Sequence, residues 1–237
     1  MRSLLVSFVA ATFLTACGTT MVNPVTGQSE RSVMDESTEV AEGAKAHQSV
    51  LEEYGAYGNK AVQTYVNDLG QRLAAQSHRK QLQWHFTVLD SPEINAFALP
   101  GGYVYVTRGI MAYMESEADL AGVMGHEIGH VTARHGAQRA TREQNAGLGV
   151  FAASVLGAVA EAYGVVGAGQ LAGQVSQTVA AGFIASYSRD QELQADGLGA
   201  EYLSRTSYDP RNMVDVITVL KNQERFAADL AQAEGRP

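Results

Sequence analysis

Apolar positions recur along this chain with two different periods, and the switches between them mark out its elements. From near Ser37 to Tyr54, and again from Asn59 to Ser77, they return every three to four residues. The second run places Val62, Tyr65, Val66, Leu69 and Leu73 on one side, as a core-facing helix does. Gln81 to Asp90 and Ile94 to Leu99 alternate instead, as half-buried strands do. Pro100-Gly101-Gly102 is turn chemistry, leading into a third strand, Tyr103-Val104-Tyr105-Val106-Thr107. A helix starts at Ser116, capped through Asp119, carries Leu120, Val123, Met124, Ile128 and Val131, and is expected to stop at Gly136. Ser188 with Gln191 opens another helix as a capping box, and Asp209-Pro210 opens a last one. The pattern predicts an α+β domain, mostly helical, with a small antiparallel sheet ahead of the Ser116 helix.

Two stretches lie outside this rhythm. Met1-Arg2, the apolar run Leu4–Leu14 and Leu14-Thr15-Ala16-Cys17 read as a signal peptide over residues 1–16, too short for a permanent membrane span. The sequence resembles a lipobox, so Cys17, the sole cysteine, is the expected site of lipidation. Residues 17–36 then read as lipidated cysteine and flexible tether, and 37–237 as one folded domain. Two acyl anchors on Cys17 would hold the chain to a membrane. Gly18 resembles the residue that sorts such proteins to the periplasmic face of the outer membrane. The second stretch, 147–184, is rich in Gly, Ala and Val with Glu161 its one charge. It reads as a helical hairpin or lid, with a membrane hairpin as the alternative.

The formal net charge of −8 removes the basic footprint of a nucleic-acid binder. The chemistry sits instead in His126-Glu127-Ile128-Gly129-His130. On a helix, side chains four residues apart lie on one face, so both imidazoles can address one metal ion. Glu127 stands beside them, placed to take a proton from a water on that metal. His135, nine residues after His126, falls on the opposite side of an unbroken helix and reads as a cation near the helix C-terminus. A third ligand must then come from a later helix. Glu192 supplies it, with Asp196 one turn on to accept a hydrogen bond from the outer nitrogen of a ligand histidine. Gly122, Gly125, Gly129 and Ala133 on one helix, and Ala195 and Gly199 on the other, form small-residue stripes that permit close approach.

These motifs, His126 to His135 followed by Glu192-Leu193-Gln194-Ala195-Asp196, resemble the gluzincin metallopeptidases of the HtpX and CAAX-prenyl-protease type. The similarity extends to Asn95-Ala96-Phe97-Ala98-Leu99-Pro100-Gly101-Gly102 and the strand after it, and spans roughly residues 37 to 225. It is greatest to the periplasmic lipoprotein branch that includes the β-barrel assembly-enhancing protease. The resemblance implies a zincin-like domain holding one Zn2+ on His126, His130 and Glu192, with Glu127 as catalytic base. It also implies a histidine in a His-Pro motif after the last catalytic helix, and no histidine follows His135 here.

The expected function is a zinc endopeptidase that cleaves misfolded or misassembled envelope proteins, with outer-membrane assembly machinery as an expected partner. A chaperone-like module for outer-membrane protein assembly, with structural zinc, is the alternative. Asn95, Ala96, Phe97, Tyr103, Val104 and Tyr105 are expected to hold substrate as an added strand. Tyr187, Arg189, Tyr202, Arg205 and Tyr208 stay open as donors to a tetrahedral oxyanion.

Overall fold

A strand that is apolar on both faces belongs in the middle of a sheet, and Tyr103–Thr107 (β5) is buried at all five positions. The computed structural model describes residues 19–145, 187–214 and 218. In it β5 lies between His85–Leu89 (β3) and Ala96–Leu99 (β4), parallel to β3 and antiparallel to β4. The three-stranded sheet is therefore mixed, where an antiparallel one was expected. Alternation along each strand reports which faces are buried and carries no information on strand order, so the crossover was not legible. The turn at Pro100-Gly101-Gly102 does form, with both glycines at positive φ (82° and 100°).

The two faces of β5 meet different layers. Val104 and Val106 join the main core with Leu69, Leu73, Phe86, Met124 and Ile128. Tyr103 and Tyr105 pack with Leu89 and Leu99 towards the helix Glu36–Tyr54 (α1). Helix Lys60–Ala74 (α2) covers the valine side, burying Val66, Leu69 and Leu73. Tyr65, expected on that buried side, is 41% exposed, and its hydroxyl donates to Glu117. Asp35 and Asn59 cap the two helices by accepting backbone amides. A short helix, Arg108–Met111 (α3), follows β5 directly.

Helix Glu117–Thr132 (α4) starts from the Ser116–Asp119 capping box, and helix Arg189–Arg205 (α5) from the Ser188–Gln191 box. Helix α4 does not run to Gly136. It ends at Thr132, Arg134 turns to a φ of 61°, and residues 135–145 are helical on a new axis. The reason is tertiary. The Arg134 guanidinium donates to Glu39 and to the Met34 carbonyl, and Arg79 donates to Glu39 and to the Val131 carbonyl. These bonds hold a non-glycine residue in a conformation it rarely adopts.

The hairpin Thr19–Val22 (β1) and Ser29–Ser32 (β2) occupies residues expected to be tether. The Asn, Pro and Gly content that suggested an unstructured linker is turn chemistry: Asn23 accepts the amides of Val25 and Thr26. The hairpin is docked, with Gln138 donating to Glu30 and the Val33 amide donating to Thr141. Among the described residues no helix is long and apolar enough to cross a membrane. The signal, Cys17 and the 147–184 hairpin lie outside the described residues.

Candidate metal centre

Helices α4 and α5 meet along their small residues. A Cβ on Gly129 would lie 2.9 Å from the Ala195 carbonyl oxygen, and one on Gly199 would lie 3.0 Å from the His126 amide nitrogen. The backbones touch at the level of His126-Glu127-Ile128-Gly129-His130, so a carboxylate on α5 reaches the histidines of α4. His126, His130 and Glu192 each bring one ligand-type atom within 4.8 Å of the others.

The inner nitrogens converge. Nε2 of His130 is 2.9 Å from Nε2 of His126. Glu192 Oε2 is 3.4 Å from Nε2 of His126, and Oε1 is 3.8 Å from Nε2 of His130. Ligand atoms about 2.0–2.2 Å from a tetrahedral ion lie roughly 3.3 Å apart, so two imidazoles and a carboxylate at these spacings fit Zn2+. Behind the inner nitrogens lies a second tier. Asp196 Oδ1 is 2.8 Å from Nδ1 of His126. Nδ1 of His130 faces Nδ1 of His135 at 3.0 Å, and Nε2 of His135 faces Gln194 Oε1 at 2.9 Å.

The break at Arg134 therefore corrects the reading of His135. It is fully buried beside His130, and it does not stand as a cation at a helix end. Burial pushes it below the usual histidine range, against the Gln194 hydrogen bond, so it is neutral. Sequence reasoning missed His135 and Gln194, because helical geometry extrapolated through residues 133–134 sends His135 the wrong way.

The site's electrostatics divide its groups. Burial acts to lower His126, but its hydrogen bonds to the Asp196 and Glu192 carboxylates outweigh it and hold the ring up at about 10. Burial, followed by His126 and His135, pushes His130 far down, leaving it neutral as a metal ligand must be. Burial pushes the Glu127 carboxyl up to about 7, with His126 opposing and Glu192 reinforcing. A cation held between the three side chains would displace the second proton of His126 and draw Glu127 back down.

Tyr187 stacks on His130, with ring centroids 4.0 Å apart. A shallow cavity lined by Ala98, Leu99, Pro100, His130 and Tyr187 joins the end of β4 to the centre. Both edges of β5 are already paired, so Tyr103, Val104 and Tyr105 are not available to an added strand, contrary to expectation. Ala96 and Phe97 lie on β4, which pairs only with β5 among the described strands. The Asn95 carbonyl accepts from the Thr107 amide. Of the other polar candidates, the Tyr202 hydroxyl is bonded to His78 and the Tyr208 hydroxyl to Glu117 and Arg72. Arg205 reaches Glu201 and the Gln76 carbonyl.

A family model described as peptidase family M48 matches residues 60–233, which contain every group named at this centre. The chain belongs to peptidase family M48. Its relatives include the β-barrel assembly-enhancing protease of Escherichia coli (strain K12), 35% identical over 166 residues. The protein of that name from Yersinia pestis is 33% identical over 169 residues. Each match covers 69% of this chain and 34% of the relative. The mitochondrial metalloendopeptidase OMA1 of Schizosaccharomyces pombe is 32% identical over 173 residues, or 70% of this chain and 47% of that protein. This M48 chain thus spans about a third of the length of the first two relatives.

Proposed function

We propose that this M48 chain is a zinc metalloendopeptidase, with His126, His130 and Glu192 holding the ion and Glu127 as general base. The observation that carries the reading is the approach of those three side chains to within 4.8 Å, with the buried Glu127 carboxyl next to the first of them. Bound zinc lowers the pKa of water to about 7 and polarises a carbonyl. A carboxyl raised towards neutrality by burial can take a proton from attacking water and return it to a leaving amine. Asp196 orients His126 by accepting from its outer nitrogen. Tyr187, stacked on His130, shields one side of that ring from water.

The substrate we propose is an extended, unfolded or misassembled envelope polypeptide. It would lie along the edge of β4, at Ala96 and Phe97, as an added strand, and pass over the cavity towards His130. The names of the relatives, proteases that enhance β-barrel assembly, support outer-membrane proteins and their assembly machinery as the setting. Cys17 would carry the lipid that keeps the enzyme on the periplasmic face of the outer membrane. Labelled fatty acid should enter the wild-type chain and not Cys17→Ser; no label in the wild type would remove the anchor.

The test of the activity is Glu127→Gln. This variant keeps the three proposed ligands, so it should retain zinc while digestion of unfolded casein falls by at least about 10²-fold. If wild type and variant both bind zinc, both hold unfolded chains and both leave them uncut, the endopeptidase reading fails. A chaperone-like module with structural zinc then replaces it.

A further inference from the structure

His130 turns Nε2 towards the centre and Nδ1 towards His135, 3.0 Å away. The other nitrogen of His135 lies 2.9 Å from the amide oxygen of Gln194. An amide oxygen only accepts, so His135 carries its proton on Nε2 and its Nδ1 is an acceptor. His130 must then donate from Nδ1, which leaves the lone pair of its Nε2 facing Nε2 of His126 at 2.9 Å, where a shared cation or proton sits between two acceptors. The opposite arrangement, with His130 protonated on Nε2, sets two acceptor nitrogens against each other. His130 is 3% exposed and His135 is fully buried, so water cannot relieve that conflict.

We infer that Gln194 and His135 are positioning residues, a one-way hydrogen-bond relay that commits His130 to the tautomer able to bind a cation. The inference rests on the metal-centre reading above. His126 receives the equivalent service from Asp196, so the two rings are oriented by different chemistries, one anionic and one neutral. Charge accounts for the difference. Glu192 and Asp196 already match the two charges of a divalent ion, and Glu127 is buried beside them. A carboxylate behind His130 would add an uncompensated buried charge. A neutral relay fixes the same proton without that cost. The break at Arg134, tied to Glu39 and to the Met34 carbonyl, brings His135 back behind His130.

The experiment uses the full chain labelled with 15N in its histidines. In zinc-free wild type, long-range 1H–15N correlation should show His130 protonated on Nδ1 and His135 on Nε2. Zinc affinity, measured by competition with a chromophoric chelator, should fall about 10–100-fold in Gln194→Leu, and the His130 tautomer preference should weaken with it. Gln194→Glu keeps an acceptor at that position and should restore the tautomer preference. His135→Ala should lose as much affinity, with Gln194→Leu standing in for it if that buried truncation does not fold. His130 found protonated on Nε2, or unchanged zinc affinity in Gln194→Leu, overturns the relay. A wild-type chain that shows the Nδ1 tautomer yet binds no zinc supports the relay and overturns the metal reading instead.

Discussion

Asp196 Oδ1 lies 2.8 Å from Nδ1 of His126, although the two residues are 70 positions apart in the chain. The contact joins α4 to α5 at the level of the three converging side chains, so it fixes the ring of His126 and the seating of the helix that carries Glu192. Its removal should be felt in metal affinity before it is felt in folding. Asp196→Ala should weaken zinc about 10–100-fold, read by chelator competition, with the far-ultraviolet spectrum unchanged. Affinity equal to wild type would mean that His126 is oriented by packing alone.

Zinc should stabilise the folded chain by mass action. At a free concentration about 100 times Kd the gain is about 2.7 kcal/mol, visible as a raised Tm that a chelator reverses. Glu192→Ala should abolish most of that shift. A full shift in the variant would remove Glu192 from the ligand set.

Two helical glycines, Gly129 inside the seam between α4 and α5 and Gly197 outside it, should respond to added methyl groups with opposite signs. At Gly129 a Cβ meets the Ala195 carbonyl at 2.9 Å, so Gly129→Ala should cost about 1–3 kcal/mol despite better helix propensity. At Gly197 nothing lies within 4 Å, so Gly197→Ala should gain up to about 1 kcal/mol. Urea titrations that move both midpoints the same way would contradict the packing described for the seam.

Glu39 accepts from both Arg79 and Arg134 in a network in which all three residues are buried. Truncating the shared carboxylate leaves the buried Arg134 guanidinium without its anion and the buried Arg79 with Glu36 alone. Glu39→Ala should therefore destabilise the domain by about 3–5 kcal/mol in denaturant unfolding. A loss below 1 kcal/mol would show that Arg134 holds its left-handed turn without this network.

Local physics determined much of this protein from the sequence alone. Helices α1, α2, α4 and α5 begin where a capping side chain precedes an apolar period, because a cap and a period are satisfied within one or two turns. The approach of His126 to His130 was legible for the same reason, since four residues return a helix to the same face. The small-residue stripes announced that two helices would touch. Three features were decided only by tertiary structure. Strand order β3-β5-β4 depends on which strand can be buried on both faces once α1 and α2 are in place, and alternation within a strand does not report its neighbours. The hairpin at 19–32 is held by the contact of Glu30 with Gln138, and the next residue, Val33, by its contact with Thr141, each more than a hundred residues away. His135 reaches His130 because Arg134 is pulled into a left-handed turn by Glu39, an ion pair formed 95 positions along the chain, and no helical period contains that break.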